Sequence, residues 1–213
     1  MHMKTEILSA TSFNAITRAI KILRTGGLVA FPTDTVYGVG ALAFDGQAVL
    51  SIYTAKDRPI EKAIPVLIGD MDDLDEVAMD IPHIAQILAS RFWPGPLTIL
   101  VPKKPDLPEA VSANSTIGVR VPNHEVARAL LRAAGPMAVT SANVSGQASP
   151  KTAEEVFAQL GGRIELIIDG GKTPGGIPST LVDCTEDEIR ILREGPITED
   201  ELQFALRLQN LDS

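Results

Sequence analysis

Short apolar runs, each broken by proline, glycine or hydroxyl residues and alternating with amphipathic stretches, set the tightest limit on how this chain can fold. Residues 12–24 read as a helix with Ile16, Ile20 and Leu23 on one face, stopped by Gly26-Gly27. Residues 28–31 follow as a buried strand ended by Pro32. The same reading predicts helices over 48–56, 82–92 and 126–134, and strands over 64–68, 97–101, 116–121 and 137–139. Pro59 ends the 48–56 helix, because the residue before proline avoids the helical region. Thr152 and Thr198 each stand three residues before a glutamate, so both open helices through capping boxes. The second of these is the C-terminal helix, over 198–208. A strand over 164–168 precedes a hairpin of 181–184 and 189–192. Strands and helices intermix without strict alternation. The expected fold is therefore α/β, a twisted open mixed sheet with flanking helices.

At 213 residues the chain supports one sizeable core, and we expect a single domain over 1–213. A formal charge of −8 argues against a general nucleic-acid coat, although a local anion site survives that sign. Aromatics make up 4%, too few for an extended base-stacking platform. Cys184 stands alone and reads as a small buried residue. His2, His83 and His124 lack metal-ligand spacing, so no protein-held metal is expected. Neither a leader-like N-terminus nor a membrane-length apolar run is visible, which points to a cytoplasmic chain without a membrane partner.

Two glycine motifs look like phosphate loops and fail on context. Gly38-Val39-Gly40 matches a loose dinucleotide fingerprint, but no helix starts at Gly40, and Asp45-Gly46 breaks the chain. Gly171-Lys172-Thr173 lacks the first glycine of a P-loop, and Pro174-Gly175-Gly176 prevents the helix it needs.

Other segments carry chemistry. Lys56, Arg58 and Lys62 crowd three cations into one short stretch of an acidic chain, a local positive site suited to phosphates. Thr35 presents a hydroxyl beyond a strand end, while Thr33 and Asp34 read as turn caps. Thr116, Gly118 and Arg120 share one strand face, and Gly118 leaves open space between hydroxyl and guanidinium. Thr140, Ser141, Asn143, Ser145 and Ser149 cluster after the 137–139 strand. Ser179 and Thr180 follow a glycine turn, and Arg193 ends the last strand.

The order of these segments is distinctive. Residues 32–38 read Pro-Thr-Asp-Thr-Val-Tyr-Gly. Then come Lys56-x-Arg58-Pro59, Trp-Pro-Gly-Pro-Leu-Thr at 93–98, and Gly-Val-Arg-Val-Pro at 118–122. Thr-Ser-Ala-Asn-Val-Ser-Gly at 140–146, Pro-Ser-Thr-Leu-Val-Asp at 178–183 and Leu-Arg-Glu-Gly at 192–195 complete the series. Over about residues 20–195 the chain closely resembles the YrdC-like family of threonylcarbamoyl-AMP synthases. The resemblance implies a fold around a large concave cavity. It implies that L-threonine, bicarbonate and ATP give threonylcarbamoyl-AMP and pyrophosphate. A separate transferase complex would then carry the group to tRNA; direct tRNA binding is at most weak.

Carried over residue by residue, the resemblance puts catalysis on Lys56 and Arg58. It puts ATP contacts on Arg58, Lys62, Thr116, Ser141, Asn143, Ser149 and Arg193. Threonine contacts fall on Thr35, Leu67, Arg120, the backbone near Val139, and Ser179. Leu67 stands where many members have histidine. Mg²⁺ is expected to accompany the triphosphate, held through phosphate oxygens and water. The chain resembles the short family form. The alternatives are a non-catalytic nucleotide- or RNA-binding protein of this fold, and a carbamoyl-adenylate-forming domain, which normally sits in a much longer chain.

Overall fold

The computed structural model describes residues 4–209. Among them a ten-stranded sheet runs in the order β1-β8-β2-β3-β7-β4-β6-β5-β9-β10. In chain order the strands are β1 (Glu6–Ser9), β2 (Val29–Phe31), β3 (Gly38–Leu42), β4 (Val66–Leu67) and β5 (Leu97–Pro102). Then follow β6 (Thr116–Arg120), β7 (Met137–Ser141), β8 (Leu166–Asp169), β9 (Thr180–Asp183) and β10 (Arg190–Arg193). The helices are α1 (Ala15–Leu23), α2 (Gly46–Lys56), α3 (Leu74–Val77), α4 (His83–Phe92), α5 (Glu125–Ala134), α6 (Ala153–Leu160) and α7 (Glu199–Gln209). The sheet is mixed, as expected: β2 pairs parallel with β8 and antiparallel with β3, and β5 pairs parallel with β9 and antiparallel with β6.

Both faces of the sheet are covered. Val29 and Phe31 of β2 pack with α1 and α5 on one side, and Ala30 packs with the larger cluster on the other. That is why the 28–31 run is apolar throughout and does not alternate. Each fully buried side chain of this size contributes roughly 1.5–3 kcal/mol of transfer free energy. The second face is covered by α2, α4, α6 and α7, through residues such as Ile52, Leu88, Val156 and Leu202. On the first face the apolar cluster reaches only as far as Leu67 of β4 and Val139 of β7. Beyond it, β6, β5 and β9 turn Arg120, Thr98 and Leu181 into an open cavity.

Several expectations need correction. Strand β1 carries no clear sequence signal, because its burial alternates over only four residues. The Gly38-Val39-Gly40 segment, which fails as a phosphate loop, is strand β3. Its glycines let β3 lie close to β7: a Cβ on either would stand 2.7 Å from a methyl of Val139. Asp45 does not break the chain but caps α2, its carboxylate accepting the Ala48 N–H at 3.0 Å. Helix α2 ends at Asp57, a non-glycine residue in the left-handed region with φ 50°. Strand β7 runs on through Thr140 and Ser141, paired with Val39 and Gly38, so these hydroxyls belong to the sheet and not to a turn. The space expected beside Gly118 is filled: a Cβ there would have Thr98, Pro65 and Leu181 all within 3.7 Å.

Of the two capping boxes, Thr198 and Glu201 make the reciprocal pair of bonds. At α6, Thr152 accepts the Glu155 N–H, but the Glu155 carboxylate takes the Lys151 N–H instead. The β9–β10 hairpin is antiparallel as predicted, with a register shift between Ile191 and Arg193.

Candidate functional site

A cavity of about 370 Å³ opens on the α1/α5 face, along neighbouring strands from β3 to β10. Its cations are Arg58, Lys62, Arg120 and Arg193, which reach it from three separate parts of the chain. Thr35, Ser141 and Ser179 supply hydroxyls, and Leu67 and Val139 supply an apolar wall. Most of the residues singled out from sequence therefore meet in one place. The volume lies in the range of small-ligand sites.

The turn after β2 has a proton order that can be worked out. Thr33 Oγ1 donates its one proton to the Val36 carbonyl at 2.7 Å. Thr35 Oγ1 lies 3.0 Å from Thr33 Oγ1, so Thr35 must be the donor in that pair. Thr35 also accepts from Arg120 Nη1 at 3.1 Å. With its proton committed, Thr35 can meet a ligand only as an acceptor, which suits an ammonium, an N–H or a hydroxyl.

Arg120 is 5% exposed and held on three sides. Nε donates to the Gly95 carbonyl at 2.9 Å, Nη1 to Thr35, and Nη2 to Asp34 at 2.5 Å. Burial pushes its pKa down, and Asp34 pushes it back up. The Trp93–Gly95 turn, which carries no reactive group, thus supplies a carbonyl that orients an arginine. Trp93 braces the same turn by donating Nε1–H to the Leu97 carbonyl at 2.7 Å.

Ser179 is gripped from both sides. Its hydroxyl lies 2.7 Å from Thr98 Oγ1, and Arg193 Nη2 donates to the Ser179 carbonyl at 2.8 Å and to Oγ at 3.1 Å. Gly195 packs onto this segment so closely that a Cβ would lie 2.3 Å from the Thr180 nitrogen. Arg58 is anchored by Nε to the Lys62 carbonyl and by Nη2 to the Ala63 carbonyl, at 3.1 and 2.9 Å. Those bonds fold the 58–63 turn so that Arg58 and Lys62 face the cavity together.

Other assignments change. Lys56 is 1% exposed, and its ammonium donates to the carbonyls of Ser141 and Asn143. Burial, with the Arg58 charge beside it, lowers its pKa to about 7. Lys56 is not part of the cavity lining, so the expectation that it lends charge to a phosphate is replaced by a clamp on β7 and the turn after it. Asn143 faces away as well: Nδ2 holds the carbonyls of Val144 and Gln147, and Oδ1 is buried without a partner. Thr116 and Ser149 lie outside the lining. Thr116 sits at the start of β6, displaced along the strand from Arg120, which is at its cavity end.

Sequence reasoning missed Asp34, Thr33 and Thr98. The first two looked like turn caps, and nothing in the sequence pairs Thr98 with Ser179, 81 positions away. Tyr37 was missed too. Its hydroxyl donates to the Gly171 carbonyl at 2.7 Å and accepts from the Gly170 N–H, tying the 170–176 loop to the turn that carries Thr35. Burial raises the Tyr37 pKa to about 12. Among the described residues, no group of three His, Cys, Asp or Glu side chains converges to hold a metal ion.

The Sua5/YciO/YrdC family model, which carries the description telomere recombination, matches residues 21–195. The chain belongs to the Sua5/YciO/YrdC family. It is 43% identical over 200 residues to a threonylcarbamoyl-AMP synthase of Bacillus subtilis, covering 92% of this chain and 58% of the relative. A putative threonylcarbamoyl-AMP synthase of Mycobacterium tuberculosis is 39% identical and matches 90% of this chain and 88% of its own length. The structure of Pyrococcus abyssi Sua5 complexed with L-threonine superposes with a TM-score of 0.90 at 40% identity, over 95% of this chain and 60% of that one. As a Sua5/YciO/YrdC domain, the chain spans somewhat more than half the length of the Bacillus and Pyrococcus relatives.

Proposed function

We propose that this chain is an L-threonylcarbamoyladenylate synthase, converting L-threonine, bicarbonate and ATP to threonylcarbamoyl-AMP, pyrophosphate and water. The observation that carries the reading is the junction at Ser179. There a residue assigned to threonine and a cation assigned to phosphate, Arg193, are in direct contact. Two substrates that must react with each other need abutting sites.

In this reading the threonine amine and bicarbonate form a carbamate with loss of water. A carbamate oxygen then attacks the α-phosphorus, and the bond from that phosphorus to the bridging oxygen breaks to release pyrophosphate. The carbamate is already anionic, so no general base is required. Arg58, Lys62 and Arg193 neutralise charge on the phosphates as the bond breaks. Arg120 holds the threonine carboxylate, Thr35 accepts from the amino-acid end, and Ser179 orients it. Leu67 and Val139 form the apolar wall against the side-chain methyl. Ser141 contributes a hydroxyl at the nucleotide side, and Lys56 acts through the backbone it clamps.

Mg²⁺ arrives with ATP, bound to phosphate oxygens, since the described side chains offer no carboxylate cluster for it. The continuous sheet supports treating the chain as one folding unit. None of the described helices is long and apolar enough to cross a membrane. We place the protein in the cytoplasm, handing its product to a tRNA-modifying transferase complex.

The test is threonine-dependent exchange of labelled pyrophosphate into ATP. A non-catalytic module of this fold would give no exchange, and that result would end the assignment.

A further inference from the structure

We propose that Asp34 is a positioning residue that turns the Arg120 guanidinium toward a ligand carboxylate in the cavity, an inference that rests on the amino-acid site proposed above. Neither residue could do this alone. A guanidinium has five N–H donors in one plane. On Arg120 three of them meet Gly95, Thr35 and Asp34. One N–H is left on each terminal nitrogen. Both of those donors are left for the oxygens of a carboxylate.

All three anchors accept from a cation, and Asp34 makes the shortest of the three bonds, at 2.5 Å against 2.9 Å to Gly95 and 3.1 Å to Thr35. The pair is secluded, with side-chain exposures of 6% for Arg120 and 13% for Asp34, so water competes little for either partner. Asp34 and Thr35 are adjacent in the turn after β2, and both grip terminal nitrogens of the same guanidinium. Between them they set its plane, while the Gly95 carbonyl sets its reach. Removing Asp34 frees one edge of that plane and leaves the remaining donors poorly aimed. An asparagine keeps an acceptor oxygen in the same place, so it should preserve the aim even without the charge.

The experiment measures binding of L-threonine, L-threoninamide and ATP by calorimetry to wild type, Asp34→Ala and Asp34→Asn. Threoninamide keeps the amine and side chain but lacks the carboxylate that Arg120 would hold. Asp34→Ala should weaken threonine by at least about tenfold while threoninamide and ATP stay within about threefold. Asp34→Asn should return threonine to within about threefold of wild type. Should the alanine variant fail to fold, Asp34→Glu keeps the charge, moves it by one methylene, and carries the same expected loss. The inference is overturned if Asp34→Ala binds threonine like wild type, if all three ligands weaken together, or if Asp34→Asn is no better than Asp34→Ala. Wild type that binds ATP but no threonine would remove the amino-acid site itself. That outcome is distinguishable because it occurs with Asp34 in place.

Discussion

Lys56 and Arg58 stand two residues apart yet have different work, and burial decides which. Arg58 keeps its guanidinium on the cavity lining while bonding only carbonyls of its own turn. Arg58→Ala should therefore cost no more than about 1–3 kcal/mol in unfolding, from two bonds within one turn, and lower kcat/KM by about 10²–10³-fold in pyrophosphate exchange. Full activity in that variant would refute the phosphate role. Lys56 should behave in the opposite way. Lys56→Met leaves two buried carbonyls without a donor, at a cost of about 3 kcal/mol in urea unfolding. The pH dependence has a definite sign. The folded pKa is lowered to about 7 from an ordinary 10.5, so between these values the unfolded chain holds a proton the folded chain has lost. Stability from this site rises as pH rises through that window. The gap between wild type and Lys56→Met should widen accordingly. A gap that does not change with pH would mean that the two carbonyls keep Lys56 charged. Thr33 can be tested by Thr33→Val, which removes the acceptor for the Thr35 proton. Thr35 is then free to rotate, and threonine KM should rise several-fold with ATP KM unchanged.

Among the elements, β3 and β7 show how a strand can set a pocket wall. Val139 lies between Gly38 and Gly40 of the neighbouring strand, and its side chain forms part of the cavity. In Gly38→Ala the new methyl would sit 2.7 Å from Val139 Cγ1. Overpacking of this kind costs about 1–3 kcal/mol. Because the neighbour that must give way is a cavity residue, threonine KM should rise along with the fall in melting temperature. A stability loss with unchanged KM would show that the strain is absorbed elsewhere. Six of the seven described helices were legible because their apolar periodicity and stop signals are local, as at Ala15–Leu23 and its glycines; the four-residue α3 is too short to show a period. Strand β3 was not, because glycine in a strand reports on the neighbouring strand, which lies about a hundred positions further along the chain.

For the whole molecule, the arrangement of charge is the governing feature. The chain carries −8 overall, yet Arg58, Lys62, Arg120 and Arg193 line one hollow, and the carboxylate nearest Arg120, Asp34, is already paired with it. Such a field attracts a polyphosphate anion against a net repulsion, and salt screens both over a Debye length of about 10 Å at 0.1 M. Raising ionic strength should increase ATP KM several-fold in steady-state exchange, with a smaller change for threonine, whose net charge is zero.

The sequence by itself determined the family, the α/β class and about half of the residues that line the cavity, because ordered motifs at strand ends survive in one dimension. It also carried part of the cavity's positive charge, since Arg58 and Lys62 are neighbours in the chain. Only the tertiary structure decided direction. That Lys56 points inward to two carbonyls while Arg58 points outward depends on which face of β7 lies over the end of α2. That Asp34, Gly95 and Thr35 share one guanidinium depends on β6 reaching between two turns distant from it in sequence. Hydrogen bonds act over about 3 Å, so their partners are set by packing, which no spacing along the chain records.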